Sequence, residues 1–394
     1  MAMLGSTRRP RRSTALAFAA PLAVCALLGC AVTAHGSPAR AGGGSPARAA
    51  ASGATAFLST LGAESTLAST VPANGDANPY GVAVVKASVG RLHAGSVLVS
   101  NFNDSANAQG TGTTIEEISP AGAATLFADV LAAHLPGPCP GGVGLTTALA
   151  ALPGGYVVVG SLPTSNGMSA TARAGCLIVL DSAGTPVETI AGRQIAGPWD
   201  MTAVTHGSLT TLFVSNALVG GAHAGLHTID SSTVVRIRLR SSHGRRPTVL
   251  GERVVADGIP WRDDPEALVI GPTGLALSPG GTLYLADTLA NRITAIPRAM
   301  TRTSAAGAGG TTLSAAGKLE QPLGLALARN GDILATNAGD GDIVEISPRG
   351  SQLFARQADP KGAAGSLFGL ALTRDGAGVV FVDDAENTLR MLGG

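Results

Sequence analysis

The chain has 394 residues, a formal net charge of +1 and 13% charged residues, so no basic field draws it to nucleic acid. Aromatic residues make up only 3%, which argues against a stacking platform for bases or sugars. No P-loop, HExxH or GxSxG pattern is present, and the seven His are scattered without ligand spacing.

The N-terminus reads as an export signal. Arg8, Arg9, Arg11 and Arg12 form a basic n-region, and Ala15 to Leu28 is an apolar run too short to span a membrane comfortably. It ends in Leu27-Leu28-Gly29-Cys30, which resembles the bacterial lipobox and makes Cys30 the candidate lipidated residue. Plain cleavage after Val32-Thr33-Ala34 is the other reading. Ser37-Pro38-Ala39-Arg40-Ala41 then recurs as Ser45-Pro46-Ala47-Arg48-Ala49 around three glycines, a composition that buries no core and serves as a tether. The expected divisions are therefore a signal over 1–30, a linker over 31–53 and a folded domain over 54–394. The expected location is the periplasm or outer membrane of a bacterium, with a lipid anchor at Cys30 as the membrane contact.

From residue 79 onward one unit repeats. Its first strand reads Pro79-Tyr80-Gly81-Val82-Ala83-Val84, Pro272-Thr273-Gly274-Leu275-Ala276-Leu277 and Pro322-Leu323-Gly324-Leu325-Ala326-Leu327. Leu367-Phe368-Gly369-Leu370 is a degenerate copy; Pro198-Trp199-Asp200-Met201 carries Asp in place of Gly, and Gly142-Val143-Gly144-Leu145 loses the Pro. Second strands end in Asn or Asp, at Asn101, Asn216, Asp287, Asn337 and Asp383, and short aliphatic third strands follow. Six such units, spaced about 45 to 75 residues apart, specify an all-β repeat architecture. Unit six stops after three strands, and Thr55 to Thr60 is the expected supplier of the fourth.

These units resemble NHL repeats, with unit four the closest in its Pro-x-Gly, its Leu-Tyr-x-Ala-Asp strand end and Asn291-Arg292-Ile293. The resemblance covers most of residues 75 to 394 and implies a six-bladed β-propeller of four-stranded antiparallel blades, the N-terminal strand completing the last blade. Gly at the start of each innermost strand then lets six strands crowd one axis.

On that frame, Cys139 and Cys176 both fall in unit two, on loops of one face, and a disulfide between them suits an oxidising compartment. The repeated Asn101, Asn216, Asp287, Asn337 and Asp383 surround one channel mouth, where oxygen ligands suit calcium; the other reading is that each caps its own strand turn. Trp199 and Asp200, with Trp261, Asp263, Asp264 and Glu266 of the Pro260–Glu266 segment, are the candidate ligand site on the same face. That segment reads equally as a Pro-rich lid with Trp packed underneath. Arg236, Arg238 and Arg240 alternate and are read as a solvated strand face.

Calcium-dependent lactonases of the gluconolactonase type share the expected fold, and that resemblance implies a metal-binding Glu at the first innermost strand. Here the strand opens Asn78-Pro79-Tyr80-Gly81. NHL propellers with amidating-lyase activity imply a set of His around zinc, also unmatched. The sequence therefore favours a non-catalytic module binding a protein or small ligand on its loop-rich face, without a cofactor. The alternative is a calcium-dependent lactonase or esterase.

Overall fold

Six innermost strands stand around one axis, three of them carrying Pro-x-Gly at their start. The computed structural model describes residues 55–394 apart from 193, 220–222, 243–244, 360–364 and 394. Blade 1 is Ala77–Val84, Val97–Asn103, Thr114–Ile118 and Ala124–Asp129, hydrogen-bonded in sequence order. Blade 2 (Leu145–Leu152 to Pro186–Ile190), blade 4 (Pro272–Leu277 to Thr311–Ala315) and blade 5 (Pro322–Leu327 to Gln352–Gln357) repeat that order. Every neighbouring pair is antiparallel. The fold is an all-β six-bladed propeller.

Ring packing explains the glycines. A Cβ at Gly324 of blade 5 would run into the Phe368 carbonyl of blade 6, and one at Gly369 into the Tyr80 carbonyl of blade 1. At these seams the next blade's backbone occupies the space a side chain would need, so Gly is required there. Second-strand hydroxyls fasten the same seam. Thr336 Oγ1 accepts from Gly324 N at 2.8 Å and donates to Phe368 O at 2.8 Å, and Ser100 Oγ joins Gly81 N to Thr146 O at 3.1 and 2.8 Å.

Blade 6 (Leu367–Leu372, Val379–Asp383, Thr388–Leu392) takes its outer strand from the N-terminal side of blade 1, as expected, but from Glu64–Ser69. Thr55 to Thr60 is not that strand; Phe57–Thr60 forms a single helical turn that plugs Leu58 into the core. In blade 2 the expected alignment starts three residues early. Leu145 pairs with Ser161 as Pro272 pairs with Asp287, and the ladder resumes at Leu149↔Val159 as blade 4's does at Leu275↔Leu285. Blade 2 thus fits Thr146, Thr147 and Ala148 where blade 4 fits two residues.

Blade 3 departs most. Its outer strands, Ile229–Ser242 and Arg245–Asp264, form a long hairpin, and Leu268–Ile270 adds a fifth strand at the end of the latter. The three alternating arginines do not share a solvated face. Arg236 is buried and donates from Nη1 to Ala299 O at 2.8 Å, because the turn after blade 4's third strand covers it, whereas Arg238 and Arg240 are exposed.

Cys139 and Cys176 form a disulfide, with Cα atoms 5.2 Å apart and 37 residues between them. Closing a loop of that length contributes about 4 kcal/mol in the chain-entropy account. The double variant Cys139→Ser/Cys176→Ser should therefore melt roughly 5–10 °C lower than wild type. An unchanged melting temperature by circular dichroism would show that packing alone holds the blade 2 entry loop.

Candidate functional site

Two residues of the repeat face the channel mouth on the loop-rich side. One precedes the innermost-strand Gly, or Asp200 in blade 3: it is Tyr80, Trp199, Thr273, Leu323 and Phe368 in blades 1, 3, 4, 5 and 6, and all five line one cavity of about 400 Å³. The other follows the second-strand Asn or Asp, and Thr288, Ala338 and Asp384 line the same cavity. Period-two alternation explains the second position: the Asn or Asp points into its own blade, so the next side chain points out of it. Among these repeated positions Asp384 supplies the one carboxyl.

Aromatic rings gather here. Tyr80 stacks on Phe368 at 3.8 Å and on Phe102 at 4.7 Å between centroids, and Trp199 stands edge-on to Phe102 at 5.5 Å and to Tyr80 at 6.0 Å. A chain with 3% aromatic residues places four of its rings in one group, from blades 1, 3 and 6. All four rings are buried and pack on one another, a clustering that a global percentage does not reveal.

The segment before blade 4 roofs the cavity. Arg262, Asp263 and Asp264 pair with Ile270, Val269 and Leu268 as a short hairpin. Its turn is held by Asp264 Oδ1, which accepts from Glu266 N and Ala267 N at 3.0 Å each. The roof is tied to two other blades: Gln109 Nε2 donates to Glu266 O at 2.7 Å, and Ser169 Oγ lies 2.8 Å from the carbonyls of Asp264 and Leu268. Arg262, Asp264 and Glu266 line the cavity from above, with Arg262 paired to Asp264 at 3.0 Å.

The candidate ligand residues therefore divide. Trp199, Asp264 and Glu266 are at the cavity, joined by Arg262 of the same segment. Trp261 is fully buried beneath the roof with Nε1 donating to Ser231 Oγ at 2.8 Å, the packing arrangement of the lid reading. Asp263 anchors the roof, its Oδ2 accepting from Gly225 N at 2.9 Å. Asp200 bridges blades: Oδ1 accepts from Met201 N at 2.7 Å and Oδ2 from Leu275 N of blade 4 at 3.2 Å.

Asn101, Asn216, Asp287, Asn337 and Asp383 are fully buried, and none lines the cavity. Each bonds to backbone or within its own blade, with Asn101 Oδ1 and Asn337 Oδ1 left without a hydrogen-bond partner. Asn101 Nδ2 donates to Thr70 O at 2.9 Å and Asn337 Nδ2 to Lys318 O at 2.8 Å; Asn216 Oδ1 accepts from Ala196 N and Gly197 N at 3.2 and 3.1 Å. Asp287 binds Arg292 at 2.8 Å and Asp383 binds Arg390 at 2.7 Å. Among the described residues no group of three or more His, Cys, Asp or Glu is gathered to hold a metal. Calcium needs six to eight oxygens, and the five strand-end Asn and Asp do not bring theirs to the cavity. That ring of side chains does not fit calcium.

Electrostatics single out two acids. Burial, with the neighbouring Asp383 carboxylate, pushes Asp384 up to about 8, and Asp384 in turn adds to the burial that holds the Tyr80 phenol well above its usual value. Asp384 N donates to Ser366 O at 2.8 Å, which fixes its backbone at the cavity wall. Burial also pushes Asp200 up to about 8, against its two backbone donors. A folded value raised from 3.8 means that the stability it confers is full below about pH 4 and is lost as pH rises through 8. The ceiling is on the order of 5 kcal/mol. Asp200→Asn should flatten the fall of the melting temperature between pH 5 and 8.5, leaving the share due to Asp384; a slope equal to wild type would refute this assignment.

No protein-family model and no curated protein matches the chain. Solved structures match in fold. A gluconolactonase from Xanthomonas campestris superposes with a TM-score of 0.54 at 16% identity, covering 84% of this chain and 90% of that one. Regucalcin, a calcium-binding protein from Agrobacterium tumefaciens, gives 0.53 at 15%, covering 82% and 92%. A luciferin-regenerating enzyme gives 0.52 at 12%, covering 83% and 94%. These neighbours are gluconolactonase- and regucalcin-like propellers, and at such identities the likeness is one of fold. They overturn the order of the two functional readings drawn from sequence: the non-catalytic scaffold module gives way to the hydrolase alternative.

Proposed function

We propose that the chain is a hydrolase of lactones or esters, acting in the roofed cavity at the channel mouth. The observation that carries this is the placement of Asp384, the one carboxyl at the two repeated mouth positions, in the cavity that the roof guanidinium of Arg262 also lines. An acid held near 8 keeps its proton at neutral pH and still releases it readily, the property a general acid needs. In the proposed reaction a water oxygen bonds to the carbonyl carbon and the acyl C–O bond breaks. Asp384 gives its proton to the departing alkoxide, and the proton lost by the water passes to solvent and restores Asp384. Arg262 stabilises the negative charge developing on the carbonyl oxygen. The NHL-like repeats supply the blades that hold these groups.

The test is a panel of lactones and esters with the purified protein, each with EDTA and with added calcium. Turnover insensitive to EDTA is expected, because the proposed reaction draws on Asp384 and Arg262 and on no metal. No turnover across the panel would overturn the hydrolase reading, and turnover abolished by EDTA would overturn the metal-independent acid mechanism.

Export and anchoring belong to the same proposal. The basic n-region, the apolar run and the lipobox-like end at Cys30 lie outside the described residues, and the Cys139–Cys176 disulfide supports an oxidising compartment such as the periplasm. Metabolic labelling with palmitate should mark the wild-type chain and not Cys30→Ala; equal labelling would remove the anchor. The membrane is the partner proposed through that anchor.

A further inference from the structure

We propose that Asn78, Gln321 and Ser366 form a polar subsite beside Asp384, which holds a hydroxyl or secondary amide carried next to the substrate's ester. The chemistry rests on the hydrolase reading, while the subsite is argued from groups that the fold leaves uncommitted. The three residues share a third repeated position at the channel mouth, immediately before the Pro or Leu that opens the innermost ladder. In blades 2, 3, 5 and 6 its carbonyl accepts from the N–H of the residue after the second-strand end, at 2.8–3.0 Å. Blades 2, 3 and 4 carry Gly144, Gly197 and Gly271 there, where a Cβ would meet Gly110 O, Ala217 O or Trp261 Cβ at 2.2, 2.4 and 2.9 Å. Blades 1, 5 and 6 have room, and Asn78, Gln321 and Ser366 all line the cavity.

Asn78 and Gln321 hold left-handed backbone, with φ of 57° and 56°, which none of those three glycines adopts. The position itself therefore does not demand it, and a residue with a Cβ loses stability by taking it. A neighbouring loop holds each one there: Asn78 N donates to Asn387 Oδ1 and Gln321 N to Asn291 Oδ1, both at 2.8 Å. Their side-chain amides, in contrast, have no hydrogen-bond partner among the described residues. Ser366 is buried, and its Oγ has no partner either. A buried hydroxyl without a partner costs stability that a bound polar group restores. Blade 6 lies between blades 5 and 1, so the two carboxamides flank Ser366 and Asp384. A carboxamide both donates and accepts, and so does a hydroxyl or a secondary amide.

The experiment compares kcat/KM for γ-butyrolactone with that for its α-hydroxy and α-acetamido derivatives, and measures calorimetric binding of the three matching lactams, which do not hydrolyse. A preference of roughly thirtyfold for one of the derivatives is expected, mainly in KM, since each hydrogen bond is worth about two- to tenfold. The larger of the two preferences identifies the substituent. Asn78→Gly/Gln321→Gly keeps the left-handed backbone and should melt no lower than wild type, yet lose about tenfold of that preference. Full preference in this variant would overturn the subsite. Lactones turned over without preference, with lactams bound alike, would overturn the subsite and leave the hydrolase reading standing. Preferential lactam binding with no lactone hydrolysed would overturn the hydrolase reading and leave the subsite standing. Neither binding nor hydrolysis would overturn both.

Discussion

Deleting residues 55–69 is expected to lower the melting temperature by more than 15 °C or to abolish the cooperative transition altogether. Glu64–Ser69 pairs along Thr388–Leu392, so its loss leaves the last blade an unpaired edge. The preceding turn is bound as firmly as the strand. Phe57 N and Leu58 N donate to the buried Glu345 carboxylate at 2.7 and 2.8 Å, and Arg356 donates to Leu61 O at 2.8 Å and also to Gly62 O. Leu58 and Leu61 are buried, worth about 1.5–3 kcal/mol each. Glu64 and Arg390 are paired, and Thr70 N donates to Asn387 O at 2.9 Å. This segment runs on into blade 1, so it welds blades 5 and 6 to the start of the ring. Glu345→Gln separates the contributions: it keeps the strand, weakens both donor contacts at the turn and should cost less than the deletion. Circular dichroism melting of the three proteins decides, and a deletion that melts with wild type would show that the ring closes without the segment.

The blades were legible in sequence because each one solves the same local problem. Pro-x-Gly marks where a strand meets the crowded axis, and the terminal Asn or Asp marks where a strand needs its turn capped. What failed was what depends on one side of the chain meeting another. Glu64–Ser69 is a largely polar, half-exposed edge strand, whereas the more apolar Thr55 to Thr60 buries Leu58 from a helical turn. Trp199 and Trp261 look alike in sequence, each beside carboxylates; only the hairpin register puts one at the cavity and the other beneath the roof. The aromatic group joins residues as far apart as Tyr80 and Phe368, and no local pattern announces it. Asp384 had a visible signal. It is the second acid of Val382-Asp383-Asp384, and strand alternation says that if Asp383 caps its blade, Asp384 faces the channel.

Asp384→Asn is expected to lower kcat on the preferred lactone by at least a hundredfold, about 2.7 kcal/mol of barrier, with KM changed less than threefold. The amide keeps the shape of the wall, so binding in the rest of the cavity persists, but it has no acidic proton to pass to the leaving oxygen. The pH profile distinguishes this from a structural effect. With the carboxyl held near 8, wild-type kcat/KM should fall as pH rises through that value, and the residual activity of the variant should lack that limb. Stability should move the other way. Asp384 has its folded value raised from 3.8, so the stability it confers drains away between about pH 4 and 8, and the variant should melt no lower than wild type at pH 9. A variant that loses activity only together with its melting temperature would make Asp384 a packing residue. One that keeps full activity and the alkaline limb would move the acid elsewhere in the cavity, to Asp264 or Glu266 of the roof, which line the same space from above.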